Sequence, residues 1–258
     1  MISLITESNK KYEQFCRSDA LGTRIMSQLF SYGTNLSFAM FWEQRNSSKE
    51  LTAMISKIDG AVTIHSKDID ENNTSEIKEF INVIGYSSIS SSKELLEMIC
   101  SDCEISVRTI MKYNADSTNA ISNSIDKNNL CGDINLFKIY DVITVCHNIQ
   151  NTKDSYQSWI ADMSHRIRHG YADAVCAQVN GQVVACALAL AKTKCDVLLG
   201  GVATLNEFRN KGLARQCIDE LIDKNSGKNI FIFCKQDKIE FYKKLGFEKY
   251  SNTAEVNK

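Results

Sequence analysis

Between Leu198 and Arg215 the chain passes from an apolar run into a charged turn and then into a helical repeat. The apolar run, Val197 to Leu205, has the length of a buried strand. Beyond Gly212, residues Leu213, Ala214, Cys217, Ile218, Leu221 and Ile222 recur at the spacing of one helix face. The turn between them carries Arg209, Lys211 and Arg215 against a single acid, Glu207. Gly212 and the small Ala214 let backbone N–H groups point into one concavity, to which a helix N-terminus adds its positive end. Amides, dipole and three cations together predict an anion site suited to a pyrophosphate.

The turn, Arg209-Asn210-Lys211-Gly212-Leu213-Ala214, resembles the acyl-coenzyme A loop of the GNAT superfamily of N-acetyltransferases. That motif is Arg or Gln, two residues, Gly, one residue, then Gly or Ala. A second stretch, Phe241-Tyr242-Lys243-Lys244-Leu245-Gly246-Phe247, resembles the superfamily's other signature, a helix ending at a glycine before a final strand. The resemblance runs through the C-terminal half. Asp154 to His169 reads as a helix, Asn180-Gly181 as a tight hairpin turn between Asp173–Val179 and Gln182–Ala191, and Asn229 to Cys234 as a further buried strand. Ile134 to Ile149 is apolar and strand-compatible, and a short polar tail is expected at the end.

The polar stretch Asn114 to Asp133 is the expected boundary, since the chain has no proline to build a stiff linker. It separates an N-terminal α/β domain (1–125) from the GNAT-like domain (131–258). The fold class is therefore α/β, a mixed central sheet flanked by helices, with a smaller α/β domain in front. In the N-terminal half, residues 1 to 33 read as helical, followed by strands at Ser37–Glu43, Leu51–Ile58 and Ala61–His65, with Asp59-Gly60 as a hairpin turn. A helix at Ser75–Ile84, a strand at Tyr86–Ser90 and a helix at Ser92–Ile99 complete it. No glycine loop with flanking cations occurs there. This half is either a degenerate relative of the same domain or an unrelated α/β cap.

A formal charge of −1 removes the basic excess that general nucleic-acid or membrane-surface binding needs. No apolar run approaches the roughly 20 residues of a membrane span, and the N-terminus lacks the basic start and apolar core of a signal peptide. A cytoplasmic protein is expected, with no nucleic-acid and no membrane partner. The ten cysteines fit a reducing compartment, several sitting singly in apolar contexts where a thiol packs as a small hydrophobe. Cys100 and Cys103 form a C-x-x-C with no second pair or histidines at ligand spacing, so no metal is expected. His165 and His169, one helical turn apart, are flanked by Arg166 and Arg168, which repel a cation; a solvated or substrate-facing basic helix end is the better reading.

The resemblance implies an acetyl-CoA-dependent N-acetyltransferase in which an acceptor amine, of a small molecule or a peptide, attacks the thioester directly in a ternary complex. It assigns the pyrophosphate to Arg209, Asn210, Lys211, Gly212, Leu213, Ala214 and Arg215, and the pantetheine arm to the strand edge at Val202, Ala203 and Thr204. Gly200-Gly201 fits a bulge or close backbone approach there, or else a conformational pair without a ligand. Tyr242 takes the position of the tyrosine that protonates the departing thiolate. A tyrosine of pKa ~10 facing a thiolate of ~8.5 makes that transfer uphill by about 2 kcal/mol; the alternative is a structural tyrosine. Asp196, at the head of the central strand, is the nearest carboxylate in sequence to serve as base. Lys235 stands where many relatives carry an asparagine. A non-catalytic acyl-CoA-binding sensor or interaction module would share the loop and differ at Tyr242.

Overall fold

The computed structural model describes residues 1–101, 103–115, 129–150 and 152–258. Most of the expected boundary stretch, 116–128, lies outside the described residues. In chain order the elements are β1 (Ile2–Leu4), α1 (Lys10–Cys16), α2 (Ala20–Tyr32), β2 (Ala39–Arg45), β3 (Leu51–Ile58), β4 (Ala61–Ser66), α3 (Glu71–Ile84), β5 (Ser88–Ser92), α4 (Lys93–Ile99) and β6 (Ser106–Tyr113). They continue with α5 (Leu136–His147), α6 (Lys153–Arg168), β7 (Asp173–Val179), β8 (Gln182–Lys192), β9 (Asp196–Thr204), α7 (Leu213–Lys224), β10 (Asn229–Cys234), α8 (Ile239–Lys243) and β11 (Phe247–Asn257). The fold is α/β, with mixed parallel and antiparallel pairing.

Two compact units make up the chain. The first comprises Met1–Lys112, Phe233–Glu240 and Lys249–Lys258, the second Tyr113–Ile232 and Phe241–Glu248. In the first, the strands run β1-β2-β3-β4-β5-β11-β6. Strand residues alternate between faces, and two cores result. Phe41 and Met54 join Tyr12 of α1 and Ile25 and Leu29 of α2 on one side. Their neighbours Trp42 and Ile55 join Ile77 and Ile81 of α3 and Leu95 and Leu96 of α4 on the other. β4 and β5 are parallel, joined through α3. The residues expected as a polar tail form the second half of β11, pairing antiparallel with β5 from Thr253–Ser92 to Asn257–Ser88. Ala254 and Val256 are buried on alternate positions of it, the half-buried pattern that the intervening Glu255 and Asn257 obscure.

The second unit is ordered β10-β9-β8-β7. β7 to β9 form an antiparallel meander, and β10 lies parallel to β9, reached through α7. The β7–β8 turn is Asn180-Gly181, both residues at positive φ (52° and 78°), as a primed hairpin turn requires. α5 and α7 pack on the strands, α5 across β8 and β9 and α7 across β7, β8 and β9.

Two expectations change. Within the stretch 134–149, Leu136–His147 form the helix α5, not a strand. Ile139, Val142 and Ile143 recur at helical spacing and bury against Cys186, Leu188 and Ala203, and this packing outweighs the strand preference of the β-branched side chains. Residues 1–33 are not helical throughout: Ile2–Leu4 pairs antiparallel with Trp42–Gln44, and two helices come after it. No helix among the described residues is long and apolar enough to cross a membrane.

Candidate functional site

β9 is irregular in its middle. Its partners on β8 step from Cys186–Ala203 to Leu188–Gly200, one residue more on β9, and then from Ala189–Leu199 to Ala191–Leu198, one more on β8. Paired bulges of this kind bend a strand and re-aim the residues beyond them. Gly201 sits at φ 56°. A Cβ on Gly200 would meet Leu190 Cδ1 at 2.4 Å, and one on Gly201 would meet Leu188 Cδ1 at 2.7 Å and Ile143 Cδ1 at 3.4 Å. The close approach to the glycine pair therefore comes from β8 and α5 side chains. The parallel ladder with β10 runs from Asp196–Asn229 to Leu199–Ile232 and ends there. From Gly200 to Thr204, β9 proceeds without that ladder.

At the C-terminal end of β9, Asn206–Phe208 makes one short turn and the chain enters α7. Asn210 (φ 62°) and Gly212 (φ 76°) both take left-handed backbone, the conformation that turns successive amides toward one concavity. Gly212 is the N-cap of α7, with no side chain capping the helix. A Cβ at Gly212 would meet nothing within 4 Å, so the ground before the helix start is open. Arg209, Asn210, Lys211 and Gly212 are exposed, Ala214 and Arg215 half-buried and Leu213 buried. Lys211 lies 5.0 Å over the Phe208 ring, and Arg215 pairs with Asp219 one turn along α7.

The first unit contains the same succession of strand, turn and helix between parallel strands, and it differs at this point. The start of α3 is closed by the chain's own carboxylates: Asp70 accepts from the Asn73 backbone at 2.8 Å, and Asn73 Nδ2 donates to Asp68 and Asp70. The cap takes the Asn73 amide, and the two carboxylates repel an anion.

Thr204 ties the loop to the strand. Its carbonyl accepts from Arg209 Nε at 3.2 Å, and its Oγ1 is buried without a hydrogen-bond partner among the described residues. Its backbone N–H and the Arg209 guanidinium both face Cys146 in the last turn of α5. Burial pushes the Cys146 thiol up, and these two neighbours offset part of that. Ile143 and Cys146 are therefore further site residues. The helical recurrence of Ile139, Val142, Ile143 and Cys146 is the signal that would have found them.

Among the residues expected at the site, the structure brings Val202, Ala203, Thr204 and Arg209 to Arg215 together. Ala203 is buried against α5, while Val202 is half-buried. Tyr242 lies on α8 and is 7% exposed; Gly246 follows the helix, and Phe247 opens β11. Its ring packs edge-on against Phe241 and Phe247, with centroids 5.0 and 5.9 Å away. Asp196 stands apart from the loop. It sits at the start of β9, about 13 Å along the strand from Gly200 at ~3.3 Å per residue, and the loop leaves from the opposite end. Its carboxylate is buried and accepts from Asn229 Nδ2 at 2.8 Å, clamping the first rung of the parallel pair. It is the candidate base as the nearest carboxylate in sequence, and strand direction places it at the end of β9 away from the loop. No group of three or more His, Cys, Asp or Glu side chains among the described residues is placed to hold a metal ion.

A bulged strand that leaves its parallel neighbour and an uncapped helix start therefore mark the candidate site. Residues 170–249 match the acetyltransferase (GNAT) domain. A tandem GNAT protein from the clavulanic acid biosynthesis pathway aligns over 100% of this chain and 98% of its own, at 9% identity and a TM-score of 0.60. A Drosophila protein aligns over the same shares at 11% identity and a TM-score of 0.64. A GNAT-family protein from Novosphingobium aromaticivorans, 15% identical, aligns over 59% of this chain and 64% of its own, at a TM-score of 0.43. No curated protein matches the sequence. The full-length tandem alignment extends the likeness in fold to the N-terminal half, in which α3 starts at a carboxylate cap.

Proposed function

We propose that the second unit binds acetyl-CoA and transfers its acetyl group to the amine of a small molecule or peptide. The observation that carries this reading is the open, uncapped N-terminus of α7 behind the left-handed pair Asn210 and Gly212. The amides of Asn210 to Arg215 and the side chains of Arg209 and Lys211 would hold the pyrophosphate. The β9 edge at Val202, Ala203 and Thr204 would take the pantetheine arm as an added strand, which requires Arg209 to release the Thr204 carbonyl. The orphaned Thr204 Oγ1 fits a site completed by a polar ligand.

Acetyl-CoA supplies an activated thioester; the chain supplies position and proton management. A strand-edge amide facing the thioester oxygen stabilises the charge that develops as the amine attacks. The Tyr242 hydroxyl donates to the departing sulfur. No side-chain base is assigned. An α-amine near pKa ~7.7 costs only about 1 kcal/mol to deprotonate at neutral pH, whereas a lysine-like amine near ~10.4 costs roughly 4–5 kcal/mol, so acceptors with low-pKa amines are favoured.

A second reading, a non-catalytic acyl-CoA-binding module, is favoured by the burial of Tyr242 between Phe241 and Phe247. Thiol release from acetyl-CoA over a panel of α-amines, polyamines and aminosugars separates the two. Amine-dependent release above the hydrolysis background supports transfer. Tight acetyl-CoA binding with no amine-dependent release supports the sensor.

A further inference from the structure

The C-x-x-C of the first unit has no part in the site above. α4 closes at Ile99, with the Cys100 N–H donating to Leu96, and the chain then turns so that the Cys103 N–H donates to the Cys100 carbonyl at 3.3 Å. A turn closed across four residues holds its end Cα atoms within about 7 Å, close to the ~4.4–6.8 Å span that a disulfide bridges. The two thiols are near enough to perturb one another electrostatically, and both are free. Their surroundings differ. Cys100 is 8% exposed, at the edge of the core around Leu95, Leu96 and Ile99. Cys103 is the one exposed cysteine of the ten. The Tyr86 hydroxyl hydrogen-bonds Cys100, and the Lys258 ammonium lies 3.8 Å over the Tyr86 ring.

We propose that Cys103 and Cys100 are a redox-active dithiol that exchanges with low-molecular-weight disulfides, Cys103 attacking and Cys100 resolving. The Cys103 thiolate attacks one sulfur of the small disulfide, forming a mixed disulfide and releasing one thiolate, which takes a proton. Cys100 then loses its proton to solvent and attacks the Cys103 sulfur, forming the Cys100–Cys103 bond and releasing the second small thiol. In sum the protein dithiol is oxidised by two electrons and one disulfide is reduced to two thiols.

The division of labour comes from the surroundings. Burial, with the neighbouring Cys103 thiol, raises the Cys100 thiol, so it stays protonated until a partner sulfur is in place. Burial first, and then the two thiols, push the Tyr86 hydroxyl up to about 12; it stays a donor and steadies the Cys100 sulfur as charge develops on it. An exposed attacking thiol beside a shielded resolving thiol is the arrangement that exchange chemistry requires.

The test is equilibration of the reduced full-length protein with oxidised glutathione, then alkylation of remaining thiols and peptide mapping. The expected result is loss of two alkylatable thiols and a cross-linked peptide joining Cys100 and Cys103, reversed by reduced glutathione. Cys100→Ser should stall at a single glutathione adduct on Cys103, and Cys103→Ser should lose both adduct and cross-link at this pair. Both substitutions are nearly isosteric, and a far-ultraviolet circular dichroism spectrum unchanged from the parent confirms folding. A cross-link between other cysteines, free alkylation of both residues after equilibration, or no adduct on Cys103 in Cys100→Ser overturns the proposal.

Discussion

At Gly212 the backbone adopts φ 76° and ψ 3° with open space where a Cβ would stand. Any other residue is strained there, and a non-glycine in left-handed backbone costs about 1–2 kcal/mol, asparagine least. Gly212→Asn and Gly212→Glu both lose the glycine, Gly212→Asn at the lower conformational cost, and only Gly212→Glu adds a charge. Gly212→Glu should abolish acetyl-CoA binding by placing a carboxylate on the helix start, while Gly212→Asn should weaken it only about tenfold, measured by calorimetric titration. Equal affinity in the parent and Gly212→Glu would remove the loop from the site. Tyr242 makes a separate prediction. Its phenylalanine variant keeps the packing against Phe241 and Phe247 and removes only the hydroxyl. We expect kcat to fall by roughly 10- to 100-fold with the acetyl-CoA KM nearly unchanged. An unchanged kcat would leave the tyrosine a packing residue.

The α2 helix supplies the clearest test at the level of an element. Asp19 caps it, accepting from Gly22 N–H at 2.8 Å, and contacts His65 of β4 at 3.1 Å. Burial by itself raises the Asp19 carboxyl, but the His65 ring and the N–H groups of Gly22 and Leu21 outweigh it and hold the carboxyl below its ordinary range. A carboxyl lowered in the folded state stabilises the fold above its unfolded value near pH ~4, and that contribution is lost as pH falls through the lower folded value. Asp19→Asn keeps the cap and loses the charge. Urea denaturation should show it about 1–2 kcal/mol less stable than the parent at neutral pH, with the gap closing below pH ~4. A gap independent of pH would place the effect in capping alone. The elements themselves were unevenly legible. The helix after Gly212, the Asn180-Gly181 hairpin and the Phe241–Phe247 helix end come from short-range signals, glycine conformation and apolar period. α5 did not, because its stripe is built from isoleucine and valine, which suit strands equally. β1 and the second half of β11 take their order from pairing with distant strands, and no local pattern announces a partner. Asp196, expected at the head of the central strand, stands there, and the Asn229 amide that its carboxylate accepts from comes from a distant strand that no local pattern announces.

For the whole molecule, the contrast between the two units sets the number of ligands that the proposed function predicts. Both carry parallel strands joined through a helix, but only α7 opens without a side-chain cap; α3 is closed by Asp70 and flanked by Asp68. The near-zero net charge gives no broad attraction for phosphates, so binding rests on local amides and cations. A calorimetric titration of the intact chain with acetyl-CoA, repeated on Gly212→Glu, tests this directly. The account predicts one site per chain, lost in the variant. Two sites per chain, or one that survives Gly212→Glu, would contradict it.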